Sequence, residues 1–156
     1  MLKSTLQNKI SMLSAVIDLN VLFSGLLFGG NAAKVVDMWI EGKFDLVAST
    51  TLLDQLELVL SRPKFSKYWP SDHGKRILIA FRAGALIQES TLDLRLCRDP
   101  DDDALLNLAA GAASGFLVTG DHDLLDDDEL KCTMLDQHGV RVVNPNEFLV
   151  VLEAQQ

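Results

Sequence analysis

Aspartates occur at three places in this chain where a fold could bring them together. Asp18 directly follows the short apolar run 15–17, Asp121 ends the segment GFLVTGD, and residues 99–103 read DPDDD. Carboxylates that converge at neutral pH repel one another and raise each other's pKa unless a cation neutralises them. The pattern therefore predicts a site for a hard divalent cation. Oxygen ligands suit Mg²⁺ or Mn²⁺, and the sequence has no Cys and His cluster of the kind that binds zinc.

A magnesium ion held by carboxylates favours one class of reaction. Such an ion can lower the pKa of a bound water, orient a phosphodiester and neutralise charge on the leaving oxygen. Phosphodiester hydrolysis needs all three effects. We therefore expect nuclease chemistry if the three groups of aspartates meet.

A purely structural explanation competes for part of this pattern. The first four residues of DPDDD suit a helix start, with an N-cap aspartate, a proline in the first turn and two carboxylates facing the positive end of the helix. Capping leaves Asp103 unexplained. Asp18 or Asp121, taken alone, is as readily a turn-former or cap as a ligand.

Strands and helices must alternate for these aspartates to meet. Short apolar runs predict strands in AVI, DLVAS, ALI, GFLVTGD and GVRVV, and helical spacing predicts helices in the segments between and after them. This alternation predicts an α/β fold, a three-layer α/β/α sandwich around a mostly parallel sheet. Binding sites in such sheets form at the carboxyl ends of strands, and Asp18 and Asp121 both occupy such ends.

Charge is distributed very unevenly along the chain. The net charge is −8, but residues 99–129 hold ten acidic side chains and no Lys or Arg, which leaves fourteen Lys and Arg and twelve acidic residues elsewhere. Residues 62–82 carry six basic side chains against the single acid Asp72. The acidic total is therefore a local property, and it does not exclude a nucleic-acid partner.

Length and composition favour one domain in a reducing compartment. The 156 residues, 48% of them hydrophobic, suffice for one core. We expect residues 1–14 to be an N-terminal extension, with Met12 as an alternative start, and residues 15–153 to form the domain. Two scattered cysteines favour a cytoplasmic location. No stretch approaches the roughly 20 apolar residues of a membrane span.

Four blocks, in this order along the chain, resemble bacterial PIN domains of the subgroup found as toxins in toxin–antitoxin pairs. They are VIDLNVLFSGLL with WIEGKFDLVAS, LSRPKF, RDPDDDALLNLAAGAASGFLVTGDHDLL, and VRVVNPNEFL. The resemblance covers nearly all of residues 15–152. It implies a PIN-like fold, an Mg²⁺- or Mn²⁺-dependent ribonuclease, an RNA substrate, an antitoxin that blocks the acidic site, and a homodimer or higher homo-oligomer.

The resemblance also implies residue roles. Asp18 matches the first metal-binding acid of such domains, Asp102 the third and Asp121 the fourth. The remaining implied residues are Asn20 and Thr119 as orienting groups, Asp123 as a further metal-site residue, and Asp99 and Asp103 as supporting neighbours.

The second acid of the family pattern is missing. PIN domains usually carry a glutamate on the helix after the second strand, and the matching position in STTLLDQLELVL is Gln55. Gln55 keeps an oxygen that can coordinate an ion but removes one negative charge. Asp54 lies about 100° around the helix, and Glu57 lies on nearly the opposite side, so neither is a clean substitute.

The basic stretch is the candidate RNA contact. The segment RPKFSKYWPSDHGKR mixes basic and aromatic side chains, a composition suited to phosphate contact and base stacking. The alternative is an ordinary solvated loop and helix face. The predicted nucleic-acid-binding residues are Arg62, Lys64, Lys67, Lys75 and Arg76.

Three functions compete at this point. The first is the metal-dependent endoribonuclease. The second is a PIN-like module that binds RNA or protein without turnover, because of Gln55. The third, a phospho-acceptor receiver domain, ranks far behind, because no aspartate follows the short strand in ALI and no lysine follows Val143.

Overall fold

Short parallel strands form the centre of the protein. The computed structural model describes residues 13–63 and 73–155, and within them five strands form one sheet in the order β3-β2-β1-β4-β5. Every pair of neighbouring strands is parallel. The strands are β1 (Ser14–Ile17), β2 (Asp45–Ala48), β3 (Leu86–Ile87), β4 (Phe116–Val118) and β5 (Arg141–Val143).

Helices connect these strands and cover both faces of the sheet. In the described residues they are α1 (Leu19–Leu27), α2 (Gly30–Ile40), α3 (Thr50–Leu60), α4 (His73–Gly84), α5 (Pro100–Gly111), α6 (His122–Leu125), α7 (Asp128–His138) and α8 (Pro145–Ala154).

The central strand shows why the sheet is buried on both sides. Ala15 and Ile17 belong to a core cluster that contains Phe148 of α8, whereas Val16 belongs to a second cluster that contains Leu106 of α5. Alternate side chains of a strand point to opposite faces, so an all-apolar strand needs a helical layer on each face. The three-layer α/β/α prediction is confirmed.

Helix α1 is additional to the single helix expected between β1 and β2. Its run LNVLFSGLL is apolar almost throughout, so it has no clear amphipathic period. The helix nevertheless begins directly after Asp18, whose side chain caps it. It packs closely on α2, since a Cβ at Gly25 would lie 2.8 Å from the carbonyl oxygen of Ala32.

Two predicted segments lie partly outside the described residues. Residues 1–12 of the expected extension are not described, and β1 already begins at Ser14. Most of the predicted basic loop after Pro63 is also outside them. The division into residues 1–14 and 15–153 stays a prediction.

Within residues 13–63 and 73–155, no single helix is long and apolar enough to cross a membrane. Helices α1 and α2 reach that length and composition together, with a bend of 96° between them.

Candidate active site

Asp18 lies at the carboxyl end of the central strand, beside the end of β4. Its backbone N–H donates to the carbonyl oxygen of Val118 at 2.9 Å, which continues the strand pairing by one residue. The Thr119 hydroxyl, fully buried, donates to Asp18 Oδ2 at 2.8 Å. Asp18 Oδ1 accepts from the backbone N–H of Asn20 at 3.2 Å. These contacts fix one orientation of the Asp18 carboxylate.

The same hydroxyl also positions Asp121. The backbone N–H of Asp121 donates to Thr119 Oγ1 at 3.1 Å, so one oxygen connects the backbone of Asp121 to the side chain of Asp18. Asp121 in turn caps α6, because its Oδ1 accepts from the N–H of Asp123 at 2.9 Å. The chain beyond β4 is thereby held against the end of β1.

Asp102 completes the cluster from the first turn of α5, a helix that packs against β1 and β4. The pKa of the Asp102 carboxyl is raised from 3.8 to about 6, mainly by burial and then by the charges of Asp121, Asp99, Asp18 and Asp123 in that order. These four carboxylates therefore act electrostatically on Asp102. Uncompensated negative charge of this kind favours the binding of a cation.

A cleft of about 610 Å³ opens over these side chains. It is formed by the end of β1, by α3 and by the start of α5. The structure brings seven of the predicted residues to its lining: Asp18, Asn20, Gln55, Arg62, Asp99, Asp102 and Asp121.

Three other predicted residues lie elsewhere. Thr119 is buried beneath the cleft. Asp123 lines a neighbouring pocket of about 480 Å³, which shares Asp99 and Asp102 with the cleft. Asp103 lines neither of these two pockets, and its Oδ1 accepts from two backbone N–H groups of the loop before α5.

Of the predicted basic residues, Arg62 reaches the cleft. Lys75 and Arg76 are exposed on α4 and do not line it. Lys64 and Lys67 lie outside the described residues. The basic stretch is therefore divided, and one guanidinium of its described part lies at the candidate site.

Gln55 occupies the cleft in the place where the family pattern has an acid. It is half-buried on α3. Asp54 and Glu57 both bind Arg82, at 2.9 and 3.1 Å, and neither lines the cleft. The structure thus agrees with the expectation that neither acid substitutes for position 55.

Sequence reasoning missed Glu89, which lines the cleft just after β3. Its Oε1 accepts from the backbone N–H of Thr50 at 3.0 Å, at the start of α3. A signal for it was present, because an acid two residues beyond a predicted strand falls at the same edge of the sheet as Asp18 and Asp121.

The donor groups fit a divalent cation by their chemistry. Three carboxylates and the amide oxygens of Asn20 and Gln55 form an all-oxygen set. A cation would offset both the burial and the neighbouring charges that raise the pKa of Asp102. Within residues 13–63 and 73–155, no three His, Cys, Asp or Glu side chains already converge on one point at ligand distance. Side-chain rotations would therefore have to accompany binding.

Comparison with known proteins identifies the family. A sequence profile of the PIN domain matches residues 14–123, a span that contains Asp18, Asp102 and Asp121. The chain belongs to the PIN-domain family. An uncharacterized protein from Methanocaldococcus jannaschii is 30% identical over 144 residues, which cover 90% of this chain and 92% of that protein. The family predicted from the sequence is confirmed, and the toxin role stays a prediction.

Proposed function

We propose that this PIN-domain protein is an endoribonuclease that hydrolyses phosphodiester bonds of single-stranded RNA with Mg²⁺ or Mn²⁺. The observation that carries the proposal is the meeting of Asp18, Asp102 and Asp121 in one cleft, with the pKa of Asp102 raised. Perturbed carboxylates in a cleft at the carboxyl edge of a parallel sheet are typical of active sites.

The side chains of the cleft have different roles in the proposed hydrolysis. Asp18, Asp102 and Asp121 are the candidate ligands of the cation, which would neutralise phosphate charge and lower the pKa of a water. Thr119 acts as a positioning residue, because its hydroxyl holds the Asp18 carboxylate and the backbone of Asp121. Arg62 lies on the cleft wall, where a guanidinium can pair with an RNA phosphate.

The test uses two aspartates whose side chains each cap a helix. Purified wild type, Asp18→Asn and Asp127→Asn are incubated with labelled single-stranded RNA and Mn²⁺. Asp127 caps α7 but does not line the cleft. We expect Asp18→Asn to lower the cleavage rate by about a hundredfold or more and Asp127→Asn to leave it unchanged. Equal cleavage by wild type and Asp18→Asn would refute the assignment.

Gln55 favours a second candidate function, an RNA- or protein-binding PIN module without turnover. Its position in the cleft lowers the number of acids available to hold a cation. On this hypothesis Gln55→Glu creates or raises activity, whereas Gln55→Ala does not. A wild type that cleaves well and is not improved by Gln55→Glu would exclude the hypothesis.

The resemblance to toxin-type PIN domains supports three further proposals. They are a cytoplasmic location, a small antitoxin partner that covers the acidic cleft, and a homodimer or higher homo-oligomer. Co-purification of a small protein from the native host tests the partner. Analytical ultracentrifugation tests the assembly, and a single monomeric species would contradict it.

A further inference from the structure

Residues 88–98, which we call the strap, form one wall of the cleft. They run from the end of β3 to the start of α5 without helix or strand. Glu89, Ser90 and Leu92 of the strap line the cleft together with Leu58 of α3. An irregular segment in such a position needs other parts of the fold to hold its shape.

One face of α5 holds the strap. Asp103 Oδ1 accepts from the N–H groups of Leu96 and Cys97, both at 2.9 Å, and Asn107 Oδ1 accepts from the N–H of Leu94 at 2.7 Å. Asp103 and Asn107 are four residues apart, so they lie on the same side of the helix. This face explains the acid that helix capping left over in the DPDDD run.

Gly111 lies one turn further along that face, directly against Ser90. A Cβ at position 111 would lie 2.8 Å from the Ser90 Cβ, a distance that ordinary packing does not allow. The Ser90 hydroxyl accepts from the N–H of Leu92 at 3.1 Å. The absence of a side chain at 111 therefore allows Ser90 to sit where it orients Leu92.

Leu92 and Leu58 are exposed although both line the cleft. Their exposed fractions are 41% and 67%, whereas the carboxylates occupy the part of the lining formed by β1 and α5. Arg62, four residues after Leu58, lines the same cleft. The cleft thus combines an acidic region with an apolar region that includes one cation.

We propose that Leu58 and Leu92 form a subsite for a nucleobase adjacent to the scissile phosphodiester, and that Ser90 and the Asp103, Asn107 and Gly111 face of α5 position Leu92. This inference rests on the proposed nuclease function. Apolar side chains can hold an unstacked base between them, and only single strands present such a base without unpairing. Arg62 is placed to contact a phosphate of the same strand.

A nucleobase fits the apolar region because this region belongs to the same cleft as the carboxylates. A base that docks in the apolar region brings its own phosphate into the same cleft as Asp18 and Asp102. A second copy of the chain would need no particular relation to those acids. An antitoxin segment that covers the cleft would use the same region, but it would not make cleavage depend on the base of the RNA. Comparing intact RNA with abasic RNA therefore separates the nucleobase from these two occupants.

The experiment compares intact RNA with RNA that lacks one base. Cleavage of a single-stranded oligonucleotide is measured for wild type, the double variant Leu58→Ser/Leu92→Ser, and Leu135→Ser. Leu135 is a matched control, since it is 45% exposed on α7 and outside the cleft. We expect the double variant to raise KM about tenfold with little change in kcat. Leu135→Ser should leave both constants unchanged.

The second arm identifies the base as the occupant. An oligonucleotide with an abasic nucleotide beside the cleavage site should raise the wild-type KM to the level of the double variant, and the leucine changes should then have no further effect. Equal losses on intact and abasic RNA would overturn the subsite. Loss of a homodimer in the double variant, or unchanged KM, would also overturn it.

Separate variants test whether the Asp103, Asn107 and Gly111 face of α5 positions Leu92. Gly111→Ala should raise KM on intact RNA and leave KM unchanged on abasic RNA. Gly115→Ala is the control, because its added Cβ would be 3.9 Å from the nearest neighbour, and it should leave KM unchanged on both RNAs. Asp103→Asn keeps an acceptor oxygen and should behave as wild type, and Asp103→Ala should behave as Gly111→Ala. A change in kcat alone would contradict positioning.

A wild type without cleavage activity would refute the proposed function but would still allow a test of the base subsite. If wild type cleaves no RNA, fluorescence anisotropy of the same oligonucleotides still measures binding. Weaker binding of abasic RNA by wild type, absent in the double variant, would support the base subsite without catalysis. Equal binding of both oligonucleotides would overturn the subsite itself.

Discussion

Two adjacent aspartates on α5 have opposite surroundings. Asp102 lines the cleft near Asp121 and Asp18, and burial and these charges raise its pKa to about 6. Asp103 lies about 100° around the helix and accepts two backbone hydrogen bonds from the strap. One face of the helix thus concentrates negative charge, while the other provides acceptors for a neighbouring segment.

This difference separates a functional acid from a structural one. A carboxylate that accepts backbone N–H groups stabilises the fold in its charged form. A carboxylate that is partly buried beside others opposes the fold unless a cation joins it, and such cost is characteristic of active sites. Residue type and position in the chain are nearly the same for both, so the surroundings alone distinguish them.

The largest expected difference is in catalysis. Asp102→Asn should lower RNA cleavage by about a hundredfold or more, because it removes a ligand charge from the cleft. Asp103→Asn should leave kcat within about threefold, since the amide oxygen can still accept from the strap. Single-turnover cleavage with saturating Mn²⁺ measures both. Similar losses in the two variants would show that the two faces do not differ as described.

For stability we expect the opposite order, in which loss of the Asp103 carboxylate costs more than loss of the Asp102 carboxylate. Asp103→Ala leaves the N–H groups of Leu96 and Cys97 without their acceptor, and we expect the free energy of unfolding to fall by about 1–2 kcal/mol. Asp93→Ala, in the same strap, removes only an exposed ion pair with Arg95 and should change little. Urea unfolding followed by circular dichroism measures these values. Equal losses from Asp93→Ala and Asp103→Ala would contradict the role of the α5 face.

Metal and pH should act on the Asp102 face alone. Because the pKa of Asp102 is raised from 3.8 to about 6 on folding, the folded state binds the proton more tightly. Its favourable contribution is complete below the unfolded pKa and is lost as pH rises through the folded pKa. Metal-free Asp102→Asn should therefore have a higher Tm than wild type at about pH 8 and a similar Tm near pH 4.

Addition of Mn²⁺ at the higher pH should raise the Tm of wild type more than that of Asp102→Asn. Asp103→Asn provides the control and should respond to Mn²⁺ as wild type does. Differential scanning fluorimetry across a pH series measures these shifts. A wild-type Tm that does not respond to Mn²⁺ at any pH would argue against a cation at this face.

The smallest expected effect concerns Asp99, which caps α5 and also lines the cleft. Asp99→Asn keeps a capping oxygen but removes a charge that raises the pKa of Asp102. We expect the pKa of Asp102 to fall, with stability nearly unchanged. Carboxyl-detected NMR titration measures it, with Asp136→Asn on α7 as a distant control. An unchanged pKa in Asp99→Asn would show that the two charges are not coupled.

Much of the fold followed from local patterns. The apolar runs predicted the strands, and the DPDDD start predicted the N-terminus of α5, because both depend on residues within one or two turns. Helix α1 escaped prediction, since an almost entirely apolar run has no period that distinguishes a helix from a buried strand. Glu89 was missed although it lies two residues beyond a predicted strand, because the strap that carries it has no regular structure to give the direction of its side chain.

The sequence by itself determined which acids are available and that two of them lie at the ends of strands. Asp18 and Asp121 follow buried strands, and a parallel sheet must bring those ends to one edge. Only the tertiary structure decided that Thr119 reaches Asp18 across 101 residues of chain. It also decided that Asp102 faces the cleft while Asp103 faces the strap. Which of the two faces the cleft depends on how α5 is rotated against the sheet. The packing of α5 on β1 and β4 sets this rotation, and the sequence period of α5 does not.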